Sequence, residues 1–265
     1  MEDIREILIR HINHRFTVMD VESLLAYKIA LFLLLETLPQ YLHSKPELLV
    51  EYESSTDFLN AFKQFDCKQS VRSRTSLKSA LNQLEKAAVV MHQSVRPNEE
   101  ELEVLELKKK PYLTMYIDLK SLRDEYDGNL VQCSQAHRRL FDEYYLPLVF
   151  KLNSLSSHVN MPLLAYQIGL YLIFQLTKEQ FEEGQAEFLV ESYQDFSEYF
   201  STFVDIIGVP KSTVFDNLFV LSEIGFIESK FLNPCCEFDG NTIEPGQYED
   251  KDHLYIKIPL EGGKY

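Results

Sequence analysis

Apolar positions along the chain recur mostly at helical spacing, so the pattern predicts helices with only short strands. Ile4, Ile7, Leu8 and Ile12 line one face of an opening helix. Residues 24–36, LLAYKIALFLLLE, are apolar almost all round, which places their helix at a buried centre. Asp20 precedes it as an expected N-cap. A polar stretch follows, then an amphipathic helix from Thr56 to Phe65. Leu77, Leu81 and Leu84 mark one more helix, and a strand is expected over Leu113 to Leu119.

The pattern then begins again. Leu140, Tyr144, Leu148 and Leu152 repeat the opening helix, and Asn160 is the expected N-cap of the next. Residues 163–175 read LLAYQIGLYLIFQ, identical to residues 24–36 at seven of thirteen positions, at an offset of 139. Leu48-Leu49-Val50-Glu51 matches Phe188-Leu189-Val190-Glu191 at 140, and Phe58 and Phe62 match Phe196 and Phe200 at 138. Arg74-Thr75-Ser76-Leu77 matches Lys211-Ser212-Thr213-Val214 at 137, and Tyr116-Ile117 matches Tyr255-Ile256 at 139. One apolar helix can match by chance, but five blocks in order at a nearly constant offset point to a tandem duplication. Two units are expected, residues 1–126 and 135–265. Between them, Glu125-Tyr126-Asp127-Gly128-Asn129 carries a DG turn signal.

The second unit contains IIGVPKSTVFDNLFVLSEIGFIE. Gly208 is expected to end one helix, Val209-Pro210-Lys211 to turn, and Ser212 or Thr213 to start the next. The preceding helix is expected over Tyr193 to Ile207, and Val214, Leu218 and Leu221 face inward. Gly225 ends that helix, Phe226-Ile227 begins a strand, and Leu254 to Leu260 forms another. The first unit reads FDCKQSVRSRTSLKSALNQLEKAAVV over the same region. The expected fold class is therefore mainly α with small β-hairpins (α+β), each unit a winged helix. The KSTVFDNLFVLSEIGFIES stretch resembles the recognition helix and wing exit of MarR/SarA-like regulators. The whole layout is similar to two-unit Sar-type regulators and to two-winged-helix replication initiators. That resemblance implies groove binding by the second helix of a unit. It also implies a homodimer through terminal helices, or one chain acting as its own pseudo-dimer.

Charge separates the two units. The chain carries 26 Lys plus Arg against 41 Asp plus Glu, a net of −15, which argues against indiscriminate coating of nucleic acid or anionic membrane. Yet residues 63–86 hold Lys63, Lys68, Arg72, Arg74, Lys78 and Lys86 against Asp66 and Glu85, a net of +4. A groove-reading helix needs local positive charge for phosphates and polar groups for base edges. Lys68, Arg72, Arg74, Thr75, Ser76, Lys78, Ser79 and Asn82 are the expected DNA contacts. Lys108, Lys109 and Lys110 stand where a wing would follow the backbone. Residues 205–230 carry −2 and residues 234–252 carry −5. With Phe215 and Phe219 on its helix, the second unit is expected to bind protein, either the first unit or a second subunit.

Composition excludes other classes. The 45% apolar content and 33 Phe plus Tyr can fill a core, and 9 Gly argue against a turn-rich all-β fold. The longest apolar run, Ile29 to Leu35, is seven residues, far short of a membrane span. Cysteines at 67, 133, 235 and 236 form no CxxC and are expected as reduced thiols in the cytoplasm. No phosphate-binding loop, zinc-protease or nucleophile-elbow motif occurs, so no enzyme and no cofactor is expected. His11 with His14 is expected at the surface rather than on a metal. Cys67 beside Lys68 reads as a structural thiol, and Cys235, Cys236 and His253 lack a fourth ligand for zinc. The leading expectation is a DNA-binding regulator of transcription contacting duplex DNA through the first unit. A plasmid or phage replication initiator or helicase loader is the first alternative. An acidic tandem winged-helix adaptor that binds protein is the second.

Overall fold

The computed structural model describes residues 4–41, 48–52, 55–66, 74–87, 113–117, 141–157, 159–184, 186–190, 193–206, 209–232 and 253–260. The chain divides into two compact units, Met1–Ser134 and Gln135–Tyr265. Helix predominates, with small antiparallel sheets, an α+β architecture.

Unit 1 runs α1 (Ile4–Val18), α2 (Leu24–Tyr41), β1 (Leu48–Tyr52), α3 (Ser55–Phe65), α4 (Arg74–Lys86) and β2 (Leu113–Ile117). Unit 2 opens with a π-helical turn, Phe141–Tyr145, and continues as α5 (Leu146–Ser156) and α6 (Leu163–Gln175). A short α7 (Lys178–Glu182) leads to β3 (Glu187–Val190), α8 (Tyr193–Val204), α9 (Lys211–Glu223), β4 (Glu228–Leu232) and β5 (His253–Lys257). Its sheet has the order β3-β5-β4. The last strand therefore sits between the first and the second, antiparallel to both.

The helices form where the apolar period places them. α2 and α6 are buried nearly all round, with Ala26 to Leu34 and Ala165 to Phe174 in the core. Two expected caps are corrected. Asp20 is not the N-cap of α2 but sits at φ 51° in the preceding turn. Ser23 takes that place, its Oγ accepting from the Ala26 N–H at 3.2 Å. Asn160 is not the N-cap of α6 either; that position is Pro162, which offers no side-chain acceptor. α9 begins at Lys211 after Pro210, earlier than Ser212 or Thr213. Pro210 is the N-cap residue, at φ −58° and ψ 139°, and offers no side-chain acceptor. α8 ends at Val204, short of Ile207, with Asp205 at φ 54° after it, and Gly208 lies outside the described residues. Gly225, at φ 74°, stops α9 as expected.

β1 and β3 correct the expected polar stretch between the second and third helices. Short apolar runs such as Leu48-Leu49-Val50 have no helical or alternating period to declare them. Their pairing is long-range: Leu48, Leu49 and Val50 lie opposite Ile117, Tyr116 and Met115. Phe188, Leu189 and Val190 lie opposite Ile256, Tyr255 and Leu254. The sequence blocks that match between units are thus joined in the same register in each.

Three interior arrangements also recur. The Tyr27 hydroxyl donates to Asn13 Oδ1 at 2.5 Å, and the Tyr166 hydroxyl to Asn153 Oδ1 at 2.6 Å, all four residues being buried. Phe32 packs against Phe58, Phe62 and Phe65, while Tyr171 packs against Phe196, Phe200 and Phe203. Leu77, Leu81 and Leu84 seat α4, as Val214, Leu218 and Leu221 seat α9.

One interior pair does not recur. Lys28 Nζ meets Asp66 Oδ1 at 2.9 Å, with side chains only 1% and 2% exposed. The matching positions of unit 2 are Gln167 and Val204, both buried.

Candidate nucleic-acid interface

α4 presents the sequence-expected contacts as a helix face. Leu77, Ala80, Leu81 and Leu84 are buried, so the positions between them must point outward. Thr75, Lys78, Ser79 and Asn82 are exposed, spaced so that they share one side of the helix, and Ser76 is half-buried. Arg74 is the first residue of α4. Lys68 and Arg72 lie outside the described residues, as do Lys108, Lys109 and Lys110. The structure therefore brings together Thr75, Lys78, Ser79 and Asn82.

Lys86 adds to this surface. It is exposed and continues the row Lys78, Asn82, Lys86 at one-turn spacing. Lys63, exposed in the last turn of α3, is a further cation of the same helix pair. Both belong to the basic stretch, and as lysines in the last turn of their helices they also complement the helix dipole. No acidic residue occupies the first turn of α4, so its N-terminal partial positive charge is not offset there.

α9 has a different surface. Phe215 is 2% exposed, so it packs inside, and Phe219 is half-buried. Ser212, Asp216 and Glu223 are the exposed positions with described side chains. The turn into α9 is tied down from α8: Ser197 Oγ donates to the Val209 carbonyl at 2.8 Å, and the Val209 N–H donates to Ser201 Oγ at 3.2 Å. Asn217 donates to the Thr213 carbonyl at 2.7 Å, leaving its Oδ1 buried without a partner among the described residues.

The sheet of unit 2 carries its own polar cluster. Glu187 ion-pairs with Lys257 at 3.2 Å. A hydrogen bond from the Tyr255 hydroxyl, and then Lys257, hold the Glu187 carboxyl below its usual range. Burial first, and then Glu187, push the Tyr255 phenol above its usual range. Gln180 ties α7 to this strand by donating to the Glu187 carbonyl at 2.7 Å.

Among the described residues, no three His, Cys, Asp or Glu side chains gather as a metal site, and no helix is long and apolar enough to cross a membrane. His14 is exposed and His11 half-buried on α1. Cys67, Cys235 and Cys236 fall outside the described residues. No protein-family model, no curated protein and no solved structure matches the chain.

Proposed function

We propose that this chain is a tandem winged-helix DNA-binding regulator, built from two copies of one ancestral unit, in which unit 1 contacts duplex DNA through α4. The observation that carries the reading is the face of Thr75, Lys78, Ser79 and Asn82, exposed opposite a buried leucine row. Cations on that face hold phosphates, and the hydroxyl and amide groups can meet base edges in the major groove. The duplication is supported by the shared strand register, by the two Tyr–Asn hydrogen bonds and by the two aromatic clusters. The pair β4 and β5, following α8 and α9 and joined by β3 in the order β3-β5-β4, supports the winged-helix reading of unit 2.

Selection of bound duplexes from a random pool at two salt concentrations tests the reading. Contact with about five phosphates gives a slope of log K against log[salt] of about −4.5. Lys78→Glu should weaken binding by at least about tenfold and flatten that slope. Undiminished binding by Lys78→Glu combined with Arg74→Glu removes this surface from the account.

A second reading is favoured by the acidic surface of α9: an adaptor that binds protein and not DNA. Absence of any duplex binding at low salt selects it.

A further inference from the structure

The helix pair α3 and α4 of unit 1 and the helix pair α8 and α9 of unit 2 carry opposite net charge. In unit 1, Lys63, Arg74, Lys78 and Lys86 outweigh Asp57 and Glu85, a net of +2. In unit 2, Asp195, Glu198, Asp216 and Glu223 outweigh Lys211, a net of −3. Under the offsets that align the units, Asn60, Ser79 and Lys86 are replaced by Glu198, Asp216 and Glu223, all exposed. Half-buried Ala61 is replaced by Tyr199, which at 67% has the highest exposure of the large hydrophobic residues described.

Tyr199 stands on the outer face of α8 with carboxylates beside it. Asp195 lies one helical turn before it, Glu198 adjoins it, and exposed Thr202 follows. Gln194 Nε2 donates to Glu198 Oε1 at 2.8 Å, which holds that carboxylate against the helix surface. An exposed phenol between carboxylates matches a guanidinium on both counts. The ring face attracts the planar cation, and the carboxylates beside it add the negative charge that draws it there. Lysine, a point charge with no fork, matches less well. The wider field has the same sign: residues 135–265 hold nine Lys plus Arg against twenty Asp plus Glu. Such a unit repels a phosphate backbone and attracts a polycation.

We propose that the outer face of α8, through Asp195, Glu198 and Tyr199, docks an arginine-rich segment of a partner protein. The proposal rests on the reading that the two units have divided their roles, but it requires no DNA contact by unit 1.

The test is fluorescence anisotropy of a labelled octa-arginine peptide titrated with the full chain at about 0.15 M salt. Tyr199→Ala should weaken binding about fivefold, while Tyr199→Phe, which keeps the ring, stays within about twofold. Asp195→Asn with Glu198→Gln should weaken it about tenfold. The matched control, Glu182→Gln with Glu183→Gln on the exposed end of α7, removes the same charge and should change binding less than about twofold. Octa-lysine should bind several-fold more weakly than octa-arginine to the unmodified chain, and Tyr199→Ala should abolish that preference. The proposal is overturned by no peptide binding, by an equal loss in the control, or by unchanged binding in Tyr199→Ala. Far-ultraviolet circular dichroism of each variant confirms that helix content is retained. Duplex binding measured on the same samples keeps the two readings apart. Peptide binding without duplex binding removes only the DNA contact, and duplex binding without peptide binding removes only this docking face.

Discussion

Inside unit 1, Lys28 and Asp66 meet as a buried ion pair between α2 and the end of α3. Inside unit 2, Gln167 and Val204 occupy the matching places with one amide and one hydrocarbon side chain. Around this difference the two interiors agree, down to the tyrosine that reaches the asparagine of the first helix and the three phenylalanines that surround one ring. On the outer helix surfaces they disagree again, basic in one and acidic in the other. Interior contacts that set the angles between helices are constrained by close packing, since a change of even one methylene is felt. A surface side chain meets only water, so its charge can be replaced at little cost to folding. The buried ion pair is the exception: a charged interior contact where unit 2 has an amide and a hydrocarbon side chain.

The largest expected effect breaks this contrast directly. Asp66→Val alone takes its carboxylate partner from a buried ammonium, and Lys28→Gln alone takes its ammonium partner from a buried carboxylate. Each should destabilise unit 1 by about 3–5 kcal/mol. The double variant, which installs the pair found in unit 2, should lose much less than either single change. Hydrogen exchange of peptides from α2 and α3 reads the result within unit 1. A double variant as unstable as the sum of its parts would mean that the two interiors are not interchangeable.

Next come the shared Tyr–Asn hydrogen bonds. Tyr27→Phe and Tyr166→Phe each remove the hydroxyl donor from a buried asparagine oxygen, at about 1–3 kcal/mol. Near-equal losses in urea unfolding sharpen the equivalence of the two units, and a loss confined to one unit breaks it.

A smaller effect is expected where unit 2 has Gly169 and unit 1 has Ala30. A Cβ on Gly169 would stand 2.9 Å from Leu152 Cδ2, a contact that buried Leu152 must give way to. Overpacking costs about 1–3 kcal/mol and better helix propensity returns about 1 kcal/mol. Gly169→Ala should therefore cost about 1 kcal/mol. Unit 1 matches Ala30 with Ile12, so adding Leu152→Ile should relieve part of that cost in a double-mutant cycle.

The smallest effect is a pH dependence confined to the sheet of unit 2. The Glu187 carboxyl is held low by Tyr255 and then Lys257, so its contribution is present above the ordinary glutamate range. It is lost as pH falls from that range through the lowered native value. The Tyr255 phenol is pushed high by burial and then by Glu187, so the unfolded chain ionises first above about pH 10 and stability falls as pH rises further. Tyr255→Phe should flatten both limbs of the thermal-stability profile, and unchanged limbs would exclude this cluster as their source.

The helices and their buried faces were readable from residue order alone, because an apolar face at helical spacing is a local signal. The exposed row Thr75, Lys78, Ser79 and Asn82 follows from the same period once Leu77, Leu81 and Leu84 are taken as buried. Other features required the folded chain. β1 and β3 carry no period of their own and become strands only by pairing with β2 and β5. Lys28 and Asp66, 38 residues apart, are an ion pair only because two helices bring them together in the core. Tyr199 resembles any aromatic of an amphipathic helix until packing leaves it outside. Periodicity records what each segment prefers, while strand pairing, buried charge and the exposure of a single ring depend on which segments meet.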